Sequence, residues 1–506
     1  MKYYVGLDNG GTTIKAALYD LTGRELAKAD AETIVIKPRP DFIERDMDMM
    51  WEANCRVLRE LLNKSNIDPK DIAALACCGH GKGLYLWGKY GPNGNAILST
   101  DNRAWEYPIR WQQDGTQQRV FEKTWQHILA CQPVSLLAWM RDNEPERLRD
   151  IRWIFSCKDY IRFRLTGEAF AEITDSSGCN LVNLRTRQYD HELLGLFGLE
   201  FIWDFLPPLR NSTDILGRIT PKASAATGLI AGTPVAGGMF DVDACCIAVG
   251  AANMKRVCMI AGTWSINEYI RSEPVTDGSI LLNSIFCDPR YYLIEESSAT
   301  SAGNNEWFIQ TLMPELRRQV ESEGRSVYTV LNDMAASIPA EEFCPVFLPF
   351  LMASNVHPNA KACFVGMSSY HTRAHIVRGI YEGIAFCHRF HFEKLMATRD
   401  VPLECIRLAG GVARSREWVQ IFADVMGYPV ETVETEETGT LGCAIAAAVA
   451  VGDYTDYENA AMHMVRVNPA VHPIPAHVGI YNNKYSLYRR ILEALDPVWG
   501  EMQALL

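Results

Sequence analysis

Asp8, Gly10, Gly11, Thr12 and Thr13 fall in one short stretch between two apolar segments, Tyr3–Leu7 and Ile14–Leu18, and Lys15 stands near the start of the second. A carboxylate at the end of a strand is the hard oxygen ligand that Mg²⁺ accompanying a phosphate takes. The glycines let the backbone approach an anion closely. Backbone N–H groups, two hydroxyls and the Lys15 ammonium would then offset its charge. An ordinary Asx/Gly hairpin turn also accounts for this string taken alone. Three more glycine signals follow along the chain: Gly238-x-x-Asp241, Gly262-Thr263 and Gly410-Gly411. The last precedes a helix start at Ser415. It fits a nucleotide held by close backbone approach and equally a tight strand-to-helix turn.

The elements that would position these groups are legible in outline. Asp46 or Asp48 caps a helix running to about Leu62, with Trp51, Cys55, Leu58 and Leu62 at helical spacing. Ile72–Cys78 reads as a buried strand that ends in Gly79-His80-Gly81-Lys82-Gly83, and Val134–Asn143 reads as a helix. Arg256–Ile260 is a second apolar strand entering a Gly-Thr turn. Ile406 and Leu408 lead a strand into Gly410-Gly411. Ser415 is the N-cap of a helix carrying Trp418, Ile421, Phe422 and Val425, and Gly427 ends it. Gly439-Thr440-Leu441-Gly442 leads into a small-residue helix, Ala444–Val451, suited to packing closely on neighbouring backbone. Two halves that each open on a phosphate-type hairpin suggest a duplicated α/β unit. The expected domains are 1–245 and 246–506.

Length and composition narrow the class. At 506 residues and 48% hydrophobic the chain can bury two cores. Its 49 Lys+Arg against 61 Asp+Glu give a net charge of −12, which argues against nucleic acid or an anionic membrane as partner. Fifteen cysteines occur without Cys-x-x-Cys pairs and mostly in apolar runs, as buried free thiols in a reducing compartment would. No signal-peptide pattern opens the sequence, and no apolar run approaches the roughly 20 residues of a membrane span. A cytoplasmic protein is expected.

The ordered set Asp8-x-Gly-Gly-Thr-Thr-x-Lys15, Gly238-x-x-Asp241, Gly262-Thr263, Gly410-Gly411 resembles the actin/hexokinase/Hsp70-type ATPase core, and specifically the FGGY carbohydrate kinases. The segments Pro133–Pro145 and Gly366–Gly383 look like that family's two signatures. Within the family the likeness is greatest to the L-xylulose kinase branch (L-lyxose-pathway type). The supporting strings include Phe42–Met47, Gly81–Leu84, Asn95–Ala104 and His371–His375. The sequence departs at Ser135, where the first signature usually has lysine, and at Gly379, where the second expects Ala or Ser. It also departs at Gly81-Lys82, in the turn that faces the sugar in relatives.

The resemblance implies an α/β fold of two ribonuclease-H-like domains with an interdomain cleft, using ATP and Mg²⁺. It implies that Asp241 is the base accepting the sugar hydroxyl proton, against the competing reading of a helix cap, with Asp243 a structural neighbour. Asp8 and Asp241 would hold Mg²⁺. Gly10, Gly11, Thr12, Thr13, Lys15 and Thr263 would face the phosphates. Gly410, Gly411 and Ser415 would lie on the adenosine side, with Ala302 and Glu306 as further candidates. His80, Gly81, Lys82, Asp101 and Arg103, together with Asp241, are the candidate sugar contacts, although Asp101 and Arg103 could equally be a local ion pair shaping the loop. The expected reaction is γ-phosphoryl transfer from ATP to a small sugar, L-xylulose first. D-xylulose, ribulose, erythrulose and glycerol are the alternatives within the class. A nucleotide switch or a sugar sensor without transfer is the alternative outside it. The expected partner is the sugar alone, without nucleic acid or membrane, and a homodimer is a possible assembly.

Overall fold

The computed structural model describes residues 1–352, 354, 356–503 and 505. The chain forms two compact units. The first comprises Met1–Asn253, Ile270–Ile294 and Glu437–Arg466. The second comprises Met254–Tyr269, Glu295–Glu436 and Val467–Leu506.

In the first unit, strands β1 (Tyr3–Asn9), β2 (Thr13–Asp20) and β3 (Glu25–Glu32) form an antiparallel meander. Helix α1 (Met47–Ser65) follows, capped by Asp46, whose side chain accepts from the Met49 N–H at 2.8 Å. Strand β4 (Ile72–Gly79) then pairs parallel to β1 on the side away from β2. It is buried along nearly its whole length, as its Ile-Ala-Ala-Leu-Ala-Cys-Cys run requires of a strand covered on both faces. Past helical segments at Glu106–Gln113, Thr116–Thr124 and Pro133–Asn143 come helices α2 (Cys157–Thr166) and α3 (Ile173–Ser177). The sheet is completed by β5 (Ile215–Arg218) and β6 (Pro234–Ala236), in the order β5-β6-β4-β1-β2-β3. The two-residue strand β7 (Met239–Phe240) pairs with the end of β4, Phe240 opposite Gly79, and opens directly into helix α4 (Asp241–Ala248).

The second unit repeats this plan. Strands β8 (Arg256–Ala261) and β9 (Ser265–Arg271) form an antiparallel hairpin. Helices α5 (Gly303–Leu312) and α6 (Arg373–Ala397) follow. Strand β10 (Cys405–Ala409) pairs parallel to β8, helix α7 (Arg416–Met426) comes after it, and β11 (Val430–Glu431) pairs parallel to β10. A hairpin, a parallel strand beside its first member and a further parallel strand beyond are thus common to both units. This is the duplicated α/β arrangement expected from the sequence.

Helix α8 (Thr438–Ala450) brings the chain back to the first unit, where it packs on β1 and α4. Its glycines make the approach possible. A β-carbon on Gly442 would overlap the Ala244 carbonyl, and one on Gly6 would overlap the Thr440 carbonyl. The close-packing role expected of the small-residue helix is what the structure shows. Gly379, where the family signature carries Ala or Ser, lies under the Pro345 carbonyl with no space for a methyl group. All fifteen cysteines are free, and all but Cys245 and Cys363 are buried. No helix among the described residues is long and apolar enough to cross a membrane.

Candidate functional site

In the first unit the candidate residues collect at the ends of β1, β4 and β7. Asp8 pairs in register with Cys78 of β4 and with Lys15 of β2, and Met239 pairs with Cys78 from the other side. Burial raises the Cys78 thiol, with Cys443 and the carboxylates of Asp8 and Asp241 adding to the effect. Asp8 and Asp241 therefore lie on opposite sides of the end of β4, with Cys78 on the strand between them. Asp8 Oδ1 is buried and has no hydrogen-bond partner among the described residues. Burial also lifts the Asp8 carboxyl above the usual range, only partly countered by Cys78 and Lys15. An orphaned buried carboxylate oxygen at this strand end fits a divalent cation, which would satisfy the oxygen and reverse the shift.

Asp241 is the first residue of α4. Phe240 occupies the N-cap position, so the alternative reading of Asp241 as the helix cap does not describe the geometry. Its charge sits where the helix dipole is positive. Asp243 points elsewhere: it is buried and accepts from the Cys287 N–H at 2.9 Å.

The β1–β2 turn is closed by the Gly10 N–H donating to the Thr13 carbonyl at 3.0 Å. Gly11 and Thr12 are exposed, and a β-carbon added to Gly11 would meet nothing within 4 Å. The backbone there borders open space that a phosphate could fill. Lys15 is ion-paired at 2.8 Å with Glu437, which Lys28 also reaches at 3.3 Å. Burial works against the Glu437 charge, but these two lysines hold its carboxyl below the usual range.

The turn after β4 is fully buried. Lys82 adopts a left-handed backbone, φ +63°, followed by Gly83 at φ +71°. A non-glycine residue pays roughly 1–2 kcal/mol for that conformation, which must be held by its surroundings. Phe240 supplies part of that hold. Its ring lies where a β-carbon on Gly81 would be, and the Lys82 ammonium stands 5.3 Å from the ring centre. His80 is turned inward, its Nε2 2.8 Å from the Tyr85 hydroxyl. Burial pulls the His80 imidazole down to about 3, so it is neutral.

Asp101 and Arg103 form the local ion pair. Arg103 donates from Nε to Asp101 Oδ1 at 2.9 Å and from Nη2 to Asp101 Oδ2 at 2.8 Å and to Glu44 at 2.7 Å. The guanidinium lies 4.0 Å from the Phe42 ring centre and 5.3 Å from that of Trp139. Arg103 Nη1 is buried without a hydrogen-bond partner among the described residues.

The second unit carries the remaining candidates. Thr263 is exposed in the β8–β9 turn, and Gly303, next to Ala302, comes within 3.5 Å of its methyl group when given a β-carbon. Gly262 and Gly411, like Gly11, face open space. Gly410 differs, with φ +88° and a β-carbon position that collides with β8 at Ala261, so its glycine serves the turn. Ser415 is the N-cap of α7, accepting from the Trp418 N–H at 3.2 Å, and it donates to Asn332 at 2.8 Å. Glu306 is bound by Tyr328, Gln310 and Arg317.

Sequence reasoning missed Glu437, which holds Lys15, and the charged residues behind the site on α2, on α3 and at Glu172; it read Gly439 as a packing glycine without placing it against Asp8. The one available signal for the charged residues was their setting in apolar surroundings, in Ser156–Leu165 and Ala169–Asp175. No cluster of three or more metal-ligating side chains occurs among the described residues. Mg²⁺ does not require one, since it is commonly held by one or two carboxylates with water and phosphate oxygens.

Comparison with known proteins follows the same lines. Residues 3–248 match the N-terminal domain of the FGGY family of carbohydrate kinases, and residues 257–451 match its C-terminal domain. The chain is 35% identical to a probable L-xylulose kinase of Pasteurella multocida, over 98% of this chain and 100% of that one. It is 36% identical to the L-xylulose/3-keto-L-gulonate kinase of Escherichia coli, over 98% and 97% respectively. The fold matches a ligand-bound xylulose kinase from Lactobacillus acidophilus with a TM-score of 0.89 at 24% identity, covering 99% of this chain and 100% of that one. It also matches Plasmodium falciparum glycerol kinase with ADP, with a TM-score of 0.84 at 18% identity, covering 98% of each. With both domain models matched in order and full-length relatives above 30% identity, the chain belongs to the FGGY family of carbohydrate kinases, enzymes that transfer a phosphoryl group from ATP to a sugar hydroxyl.

Proposed function

We propose that the acceptor is a ketopentose, L-xylulose, and that Asp241 is the general base of the transfer. The observation that carries the mechanism is the junction at Phe240–Asp241. There a helix begins on a carboxylate across the end of β4 from Asp8, and the preceding aromatic ring packs on the buried Gly81-Lys82 turn. The choice of sugar rests on full-length identity of 35–36% to proteins named for L-xylulose.

In this reading the sugar lies against Lys82 and Arg103, whose buried Nη1 is left to donate to a sugar oxygen. Asp241 takes the hydroxyl proton as the oxygen forms its bond to the γ-phosphorus, the bond to the β-bridging oxygen breaks, and ADP leaves. Asp8 and Asp241 would hold Mg²⁺, which supplies charge neutralisation at the phosphates. Backbone N–H groups at Gly10–Thr13 and the hydroxyls of Thr12, Thr13 and Thr263 would receive the phosphate oxygens. Gly411 would border the adenosine. Fifteen free thiols support a reducing, cytoplasmic setting.

The test is a coupled ADP-release assay with ATP–Mg²⁺ across L-xylulose, 3-keto-L-gulonate, D-xylulose, L-ribulose, D-ribulose, erythrulose and glycerol. The expected result is the highest kcat/KM with L-xylulose. A preference for the keto-acid would reassign Lys82 to a substrate carboxylate. A preference for any other acceptor would overturn the substrate, and ATP turnover independent of sugar would overturn transfer.

A further inference from the structure

Behind the candidate base lies a buried group of charges that the chemistry above does not use. Lys158 and Arg162 on α2 face Asp159, Glu172 and Asp175. Lys158 Nζ lies 3.2 Å from Asp159, 3.3 Å from Glu172 and 3.7 Å from Asp175, and Arg162 lies 2.6 Å from Asp159. All five are essentially inaccessible. Burying them is costly, and well-packed apolar residues would commonly stabilise the fold as well or better. Stability is thus a weak reason for the arrangement, and its hydrogen bonds show a more specific one.

They converge on the short segment that delivers Asp241. Glu172 accepts from the Thr174 hydroxyl at 2.6 Å and from the Ser212 hydroxyl at 2.8 Å. With its single proton given to Glu172, the Thr174 oxygen accepts the Phe240 N–H at 2.9 Å. Arg162 donates to the Gly237 carbonyl at 2.8 Å. Gly237 and Phe240 are therefore held at both ends of the Gly-Gly-Met-Phe run. The same helix, α3, reaches the sugar-side turn, since Asp175 Oδ1 accepts the Lys82 N–H at 3.4 Å.

We infer that Thr174, oriented by Glu172, is a positioning residue for Asp241, and that α3 sets the spacing between the base and the Gly81-Lys82 turn. The inference rests on the reading of Asp241 as base. Loss of the Thr174 oxygen frees the Phe240 N–H and lets the first turn of α4 shift, and a displacement near 1 Å costs about 100-fold in rate.

Thr174→Val keeps the shape and removes the acceptor. With the best acceptor of the panel above, its kcat is expected to fall about 10–100-fold with KM for ATP within about twofold of wild type. Thr174→Ser, which retains the hydroxyl, is expected to restore at least about half of the rate. Should the valine variant not accumulate as folded protein, Thr174→Ala, which only removes atoms, carries the same expectation. A kcat within about twofold of wild type for the folded variant, or no rescue by serine, overturns the inference. Asp241→Ala measured alongside separates the two claims. If it is inactive while Thr174→Val is normal, only the positioning role falls. If it turns over normally, the base assignment falls and the positioning role with it.

Discussion

Gly439, in the first turn of α8, lies against the Asp8 carboxylate so closely that a β-carbon there would overlap Oδ2. The carboxylate is wedged between β4 and the start of this helix. Its orientation is set by a residue more than four hundred positions away that does no chemistry of its own.

Gly439→Ala should therefore push Asp8 out of place. The expected result is a loss of about tenfold or more in kcat, with a raised Mg²⁺ concentration at half-maximal rate. Titration of the rate with Mg²⁺ at saturating ATP checks it. An unchanged Mg²⁺ dependence would remove Asp8 from the metal site.

Asp241 and Asp243 offer a matched pair, two residues apart on one short helix. Asp241→Ala is expected to lower kcat by about 10²–10⁴ while ATP binding persists. Asp243→Asn leaves the Cys287 N–H a weaker acceptor in a buried setting, so it is expected to lower the unfolding midpoint while the active fraction turns over near normally. Steady-state rates with calorimetric ATP binding distinguish the two.

His388 gives a pH signature in the second unit. Its ring bridges Asn267 at 2.8 Å and Ser301 at 2.9 Å, and burial, with His391 adding, pulls it down to about 3. In the unfolded chain a histidine titrates near 6.5. Below that value the unfolded state gains a proton that the folded state refuses, so stability is lost as pH falls, by up to about 1.4 kcal/mol per pH unit down to the folded value. His388→Gln lacks this loss. Between pH 6.5 and 5 the wild type should lose about 1.5 kcal/mol more than the variant in urea unfolding. Parallel pH profiles would show that the ring is not neutral when folded.

Ser415 separates capping from nucleotide contact. Its hydroxyl already serves the Trp418 N–H and Asn332. Ser415→Ala should cost about 1 kcal/mol of stability, as a lost N-cap does, and leave KM for ATP within about twofold. A tenfold rise in KM without destabilisation would make the serine a nucleotide ligand.

What the sequence disclosed was mostly local. The Ser415 cap, the Gly427 stop and the apolar strands before each glycine turn are set by residues a few positions apart, and the structure has them where the pattern put them; of the two caps the pattern allowed for α1, Asp46 and Asp48, it uses Asp46. The repeated hairpin was visible because each unit spells it out separately. What the sequence concealed is long-range. Nothing near Lys15 announces Glu437, and nothing near Phe240 announces Thr174, because each pairing depends on the sheet being assembled. His80 and Arg103 were legible as polar residues in the right loops, yet their orientation depends on Tyr85, Glu44 and Phe42, which only the fold brings to them.

The return of Glu437–Arg466 to the first unit bears on how the chain matures during synthesis. At about 5–20 residues per second, roughly 200 residues must still be made after Asn253 before α8 is complete at Ala450, a delay of about 10–40 s. Until then β1 and α4 lack the helix that covers them, and their apolar faces are open to wrong partners. The nascent protein should therefore be protease-sensitive, and dependent on chaperones, well after its amino-terminal half has left the ribosome.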